Sequence, residues 1–298
     1  MKFRDIVLAV VIAAVWGVNF IAVKAAVDAF SPFLANTLRF SFVFLALSPF
    51  LKWVPGRMKS MLAVAVILGV AHFGLILFAM QVADGVSAVA IASQLGVPFS
   101  TILAIIVLKE SVGWRRIVGI ALSFSGVIVL GFDPVIFAYW QALGLVTLAA
   151  FMYAVSTVMM RTLKDIPAVT TQAWVGFAGA LGSLLFSFAF ENNQLEMIKA
   201  ASNDAWLALL YSAIGSSIIG HGGANYLFRK YDVSAVTPYF LVMPLFAVMA
   251  GVMALDETVS SKVVLGGVLT IAGVLIVTLR NRKKHSKMAD VANAEGMT

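Results

Sequence analysis

The residues of this chain that could do chemistry are polar side chains lying at the centres of long apolar runs. His72 and His221 lead them: an imidazole can donate to an anionic ligand or exchange a proton near neutral pH. Trp16, Asn19, Gln94, Ser156, Thr157, Gln172, Trp174, Asn225 and Tyr239 occupy similar central places. A polar group inside hydrocarbon costs free energy, so each of these needs a partner or a ligand. The plain alternative is an interhelical hydrogen bond, worth roughly 0.6–2 kcal/mol, that only holds the bundle together. Trp16, Phe73, Tyr153, Trp174, Tyr226 and Tyr239 could wall a pocket for a flat or apolar side chain, or could simply be core.

Backbone and charge add further candidates. Pro98 and Pro244 lie deep in apolar runs, where each removes a backbone hydrogen bond and frees a carbonyl. Such carbonyls are tolerated in a membrane when buried in protein or beside a wet cavity, which predicts a cavity-lining or hinge role. Pro238, six residues before Pro244, makes the ninth run the one expected to bend. Lys24 and Arg39 read as lying near the outer ends of the first two runs. From there both can snorkel to headgroups, or form a positive rim for an anionic group. The carboxylates all fall at or near run ends, so no mid-membrane acid is expected to bind sodium or relay a proton. Facilitated export follows, with histidine-mediated proton coupling as the lesser option. Glu110 and Glu257 read as caps or interface residues near Lys109 and Lys262.

Enzyme chemistry finds little support. Ser216 and Ser217 with His221 superficially suggest an intramembrane serine hydrolase, but Ser217 and His221 are one turn apart on one helix and lack an orienting third group. There is no cysteine, no phosphate-binding loop and no clustered metal-ligand spacing. No cofactor and no metal are expected.

The elements that must position these side chains are membrane spans. With 61% hydrophobic and 12% charged residues among 298, the chain has too little polar surface for a water-soluble globule. Spans are expected at about 6–27, 34–51, 60–80, 86–107, 115–131, 141–160, 169–190, 205–228, 234–254 and 262–280, each near the roughly 20 residues that cross a bilayer. An all-α integral membrane protein of ten transmembrane helices follows. If the N-terminus is cytoplasmic, 17 of the 21 Lys and Arg lie inside, Lys199 and Lys262 outside, and Lys24 and Arg39 within spans. That bias places both termini in the cytoplasm. It also explains the net charge of +7 without nucleic acid as a partner. The first span is retained as a helix rather than a cleaved signal, since it carries Trp16, Asn19 and Lys24 and lacks a small-x-small site. A bacterial cytoplasmic membrane is the expected compartment.

The chain also repeats. His72, Ser87-Ala88-Val89, Pro98, Glu110, Gly119 and Gly126 recur in order as His221, Ser234-Ala235-Val236, Pro244, Glu257, Gly266 and Gly273, at offsets of 146 to 149 residues. The halves are 1–136 and 137–280, and 281–298 is a basic tail expected to be disordered. Five spans per copy force the second half into the membrane upside down, the design of a secondary transporter with its site between the halves. Gly119, Ser123 and Gly126, and again Gly266, Thr270 and Gly273, form small-residue stripes that let helices approach closely, against each other or against a second copy. The chain is thus expected as a monomer or homodimer whose partners are lipid and a small-molecule substrate.

At Trp16-Gly17-Val18-Asn19-Phe20, with Lys24, Pro32 and Arg39-Phe40, the sequence resembles the EamA-type members of the drug/metabolite transporter superfamily. Pro98, Leu108-Lys109-Glu110, Gly119 and Gly126-Val127 are similar to the end of that family's repeat, and Pro244, Glu257, Gly266 and Gly273 repeat it. The resemblance covers about 6–280. It implies two inverted five-helix repeats and export of small metabolites, most like bacterial exporters of amino acids, including aromatic ones. The second half departs from the pattern, with Tyr153-Ala154 where Trp16-Gly17 stands and no counterpart of Arg39. The expected activity is export of an amino acid with a large side chain by alternating access; efflux of drugs or organic cations is the alternative.

Overall fold

In hydrocarbon every backbone N–H and C=O must be satisfied internally, and this chain meets that demand with helices alone among its described residues. The structure, a computed structural model, describes residues 1–108, 113–160, 163, 165–231, 236 and 239–294; the side chains of Leu108, Asn225, Phe228, Arg229 and residues 280–294 lie outside that description. The long helices are α1 (Phe3–Ala29), α2 (Pro32–Leu47), α3 (Met58–Val82), α4 (Ser87–Ser93 and Gly96–Leu108), α5 (Trp114–Gly131), α6 (Trp140–Met160) and α7 (Ala168–Phe190). They are followed by α8 (Asn203–Lys230), α9 (described from Met243 to Leu255) and α10 (Ser261–Ala294). Among the described residues nine helices are long and apolar enough to cross a membrane, and Met243–Leu255 is a shorter apolar helix. The chain is an all-α, multi-span membrane protein.

Two expectations change. The basic tail was expected to be disordered, yet α10 continues through it to Ala294; residues 281–294 contain neither proline nor glycine to stop it. Interruption was expected mainly in the ninth run, yet α4 is broken as well. Its backbone turns at Gln94 and Leu95, where the Gln94 carbonyl accepts from Val97 N–H at 3.2 Å because Pro98 offers no N–H. The corresponding turn at Leu241 and Val242 precedes α9, with Pro244 as the second residue after it. Pro238, Ser234 and Ala235, and likewise Lys109, Glu110, Ser111 and Val112, lie outside the described residues.

α3 and α8 each widen into a π-helical segment, Ile67–His72 and Tyr211–Gly220, which ends at or just before a histidine. Such segments pivot a helix and re-aim its side chains, and they are frequent at functional sites.

Packing divides the helices into recurring sets. α1 packs on α8 and α9, α6 packs on α3 and α4, α2 pairs with α7, and α5 pairs with α10. The α5–α10 seam is as close as helices come: a methyl added to Gly273 would stand 2.5 Å from the Gly119 carbonyl, and one added to Gly266 2.7 Å from the Gly126 carbonyl. The two stripes of small residues therefore face each other within one chain. In the α2–α7 pair, Asn36 Nδ2 donates to the Gly69 carbonyl at 2.8 Å and to Ser183 Oγ at 2.7 Å, pinning α2, α3 and α7 together.

Carboxylates staple the face opposite the N-terminus. Glu191 accepts from Ser31 Oγ (2.6 Å), Phe33 N–H (2.7 Å), Leu34 N–H (3.0 Å) and Ser187 Oγ (2.7 Å), capping α2 from the end of α7. Glu257 caps α4 from the loop after α9, accepting from the Val86 and Ser87 N–H groups and the Ser87 hydroxyl. Asp133 accepts from the Ser260 hydroxyl, which holds its carboxyl below the usual carboxylate range. On the N-terminal face, Lys230 Nζ reaches Asp5 Oδ2 at 2.8 Å and Tyr231 OH donates to the same oxygen at 2.6 Å. That Asp5 contact raises the Lys230 ammonium above the ordinary lysine range.

Candidate functional site

Arg39 is the centre of the candidate site. It is the eighth residue of the 16-residue α2 and only 2% exposed, so it neither lies near a helix end nor snorkels to headgroups. About two turns of α2 lie on either side of it, which corrects the expected placement near a helix end. Its Nη2 donates to Ser217 Oγ on α8 at 3.0 Å, and its guanidinium carbon lies 4.6 Å from the Phe73 ring centroid and 5.5 Å from that of Phe40. Nε has no hydrogen-bond partner, and among the described residues no carboxylate lies within 4.0 Å of Arg39. A buried guanidinium stays charged, and leaving it without a counter-ion is costly. Aromatic faces recover part of that cost, on the order of 0.5–2 kcal/mol each.

Lys24 has the ordinary explanation instead. Its ammonium pairs with Asp28 one turn away at 2.9 Å, near the end of α1.

The two histidines stand beside residues that Arg39 touches: His72 precedes Phe73, and His221 lies one turn after Ser217. His72 Nδ1 faces the Ala149 carbonyl at 2.8 Å. A nitrogen facing a carbonyl carries the proton, so neutral His72 presents Nε2 as an acceptor. Its ring lies 4.7 Å from Phe73 and 5.3 Å from Tyr153. His221 packs 5.1 Å from Trp16, whose indole N–H donates to the Ser216 carbonyl at 3.2 Å and whose other ring neighbour is Phe240 at 5.0 Å. The π-helical segment of α8 thus supplies Ser216 to Trp16 and Ser217 to Arg39. Ser217 Oγ itself donates to the Ser212 carbonyl at 3.2 Å rather than to His221.

Tyr153 is 40% exposed although it sits between His72 and Gly96, the first residue after the α4 break. Its ring is therefore only partly covered by these neighbours. Gln94 lies in the α4 break and is partly buried. Pro98 and Pro244 are the third and second residues of the half-helices that start after the two breaks. Helix N-termini carry partial positive charge, so both breaks orient favourable dipoles for an anion.

Around this centre the other expected residues sort by distance. Asn19 is one turn along α1 from Trp16, and its Oδ1 is buried without a hydrogen-bond partner. Tyr239, like Trp16, packs against the buried cluster of Ala9, Ile12, Leu227 and Val236. The side chain of Asn225 lies outside the described residues. Trp174 is set apart: its indole donates to the Lys52 carbonyl at 2.9 Å, and its ring packs on Phe177 at 5.7 Å. Ser156 and Thr157 each donate to the Tyr153 carbonyl at 2.8 Å. Phe240 and the Ser216 carbonyl join the site without having been expected. The signal for the carbonyl was the small-residue run Ser212 to Gly220, which permits a widened turn.

The comparisons decide the family. The model of the EamA-like transporter family matches residues 4–132 and 140–279. The chain belongs to that family. A "Probable amino-acid metabolite efflux pump" of Escherichia coli (strain K12) is 24% identical over 284 residues, covering 93% of this chain and 95% of that one. The protein of the same description from Salmonella typhimurium is 25% identical over 284 residues, with the same coverage of 93% and 95%. An "Uncharacterized transporter" of Archaeoglobus fulgidus is 28% identical over 273 residues, covering 88% and 94%. A solved crystal structure superposes with a TM-score of 0.64 at 17% identity, covering 95% of this chain and 99% of that one, which establishes likeness of fold. As an EamA-like transporter the chain moves small metabolites across a lipid bilayer and is not an enzyme. Among its described residues no group of three or more His, Asp or Glu could hold a metal.

Proposed function

We propose that this EamA-like transporter exports amino acids with large or aromatic side chains from the cytoplasm by alternating access. The observation that carries the reading is Arg39: a buried guanidinium at mid-helix against the faces of Phe40 and Phe73, with no carboxylate within 4.0 Å among the described residues. A substrate carboxylate would supply the missing counter-ion, and Trp16, Phe73 and Tyr153 would receive its side chain. Arg39 is nearly sealed, so the substrate engages it as the helix sets around it part. Organic cations are disfavoured, because such a ligand would meet the charge of Arg39 with no acid to offset it.

The proposed architecture is ten helices in two inverted halves, 1–136 and 137–280, with both termini cytoplasmic in a bacterial inner membrane. Several features support it: the family model matches two segments, the packing of α1 on α8 and α9 recurs as α6 on α3 and α4, and the helix breaks at 94–95 and 241–242 lie 147 residues apart. The cationic loops support the orientation. α1, α8 and α9 then rock against α3, α4 and α6, around the close α2–α7 and α5–α10 pairs. Glu257 joins the two moving sets on the outer face, which is therefore closed here. Counterflow of labelled amino acids into proteoliposomes tests the function. Saturable exchange of phenylalanine or leucine above the rate of empty liposomes is the expected result; carriage of a lipophilic cation alone would overturn it.

A further inference from the structure

An amino acid carries two charges, and the site treats them unequally. For the carboxylate there is Arg39, whose Nε is buried and unpartnered, with Ser217 and the rings of Phe40 and Phe73 around it. For the ammonium no counter-ion is provided among the described residues. Among the described residues the carboxylates of the helices lie away from this cluster and are already engaged or exposed: Asp5 with Lys230, Asp28 with Lys24, Glu257 with Ser87, Glu191 with Ser31, and Asp133 with Ser260. Among the described residues an ammonium in the site would find no counter-ion, only uncharged groups: the faces of Trp16 and Tyr153, the acceptor nitrogen of His72 and the amide oxygen of Asn19. Arg39 would also repel it across a short, water-poor gap.

We infer that the site recognises a monocarboxylate attached to a large apolar group, and that the free ammonium of an amino acid contributes nothing to recognition. Aromatic or branched carboxylic acids without an amino group are therefore substrates in their own right. The charge count requires it: one fixed positive charge is neutralised by one negative ligand, whereas a zwitterion leaves the cluster as positive as before. Neutralisation matters more here than in water because the surroundings are apolar. Amino acids are carried for the carboxylate they share with these acids. This inference rests on the site proposed above, but not on amino acids being the physiological cargo.

Three nearly isosteric compounds test it with the full-length protein: 3-phenylpropionate, L-phenylalanine and phenethylamine, which bear the carboxylate alone, both groups, and the ammonium alone. Two readouts are needed, thermal stabilisation of the purified protein and competition against labelled phenylalanine counterflow at pH 7.5. The expected result is half-maximal stabilisation by 3-phenylpropionate at or below the concentration needed for phenylalanine, and at least about tenfold below that for phenethylamine. Arg39→Gln should abolish the preference for 3-phenylpropionate over phenethylamine, while Arg39→Lys should keep it. If phenylalanine binds and is exchanged while 3-phenylpropionate does neither, the monocarboxylate inference falls and amino-acid export stands. If 3-phenylpropionate binds and phenylalanine is neither bound nor exchanged, the reverse holds. Stabilisation by phenethylamine as strong as that by 3-phenylpropionate would overturn both.

Discussion

Replacing Glu257 by Gln should open the face opposite the N-terminus. The Glu257 carboxylate accepts from two backbone N–H groups, those of Val86 and Ser87, and from the Ser87 hydroxyl. It fits a slot floored by glycine on both sides: a methyl added to Gly251 would stand 2.8 Å from its carboxyl carbon, and one added to Gly85 would overlap its oxygens. Glutamine keeps an acceptor oxygen but loses the charge at a helix start and turns an amide N–H₂ toward backbone donors. A lost cap costs about 0.5–2 kcal/mol and a lost charge at a helix N-terminus about 0.3–1 kcal/mol. A net loss of roughly 1–2 kcal/mol shifts the closed-to-open ratio by about 5–30-fold. The chain has no cysteine, so spin labels can be placed at Asp84→Cys and Val259→Cys, both exposed, and their separation read by double electron–electron resonance in liposomes. A longer-distance population should grow in Glu257→Gln. Glu191→Gln, which uncaps α2 within the tight α2–α7 pair, should lower thermal stability and leave the distances alone. Identical distance distributions in wild type and a folded Glu257→Gln protein would refute the latch.

Three further outcomes are expected. Gly273→Ala should cost about 1–3 kcal/mol in detergent-solubilised stability, because its methyl would meet the Gly119 carbonyl and Ser123 at 2.5 Å; Gly144→Ala, with open space around it, should be neutral or stabilising. His72→Phe should leave an Ala149 carbonyl without its side-chain donor and raise the KM for substrate at least severalfold in counterflow, with less effect on folding than Gly273→Ala. The Asp133 carboxyl is held below its usual range by Ser260, so its contribution to stability is full above the ordinary value near pH 4 and is lost as pH falls through the lowered one. Asp133→Asn should remove that part of the acid sensitivity in a thermal-denaturation series from pH 6 to pH 3.

Helix identity was legible in the sequence because hydrocarbon leaves a chain of this composition no other option; the glycine stripes of α5 and α10 marked close packing, but that they meet each other rather than a second copy came only from the fold. Arg39 was misplaced because hydropathy windows position a charge relative to run ends, and Ser31-Pro32 starts α2 close enough to Arg39 to make those ends ambiguous. Only packing shows that α8 reaches across to cover it through Ser217. The breaks at Gln94 and Leu241 were half legible: proline marks where a hydrogen bond is missing, but whether a helix bends or parts depends on its neighbours. Trp174 and Trp16 look alike in sequence, both aromatic and both mid-run. One caps a loop carbonyl at Lys52 and the other abuts His221, a difference set by helix rotation that spacing does not encode.

Exchange by Arg39 variants bears most directly on the site. Initial rates of phenylalanine counterflow should fall in Arg39→Gln by about 10–150-fold in kcat/KM, the worth of one charge-assisted contact, and by much less in Arg39→Lys, while Trp174→Phe stays near wild type. Wild-type exchange by a folded Arg39→Gln protein would contradict a substrate carboxylate at Arg39.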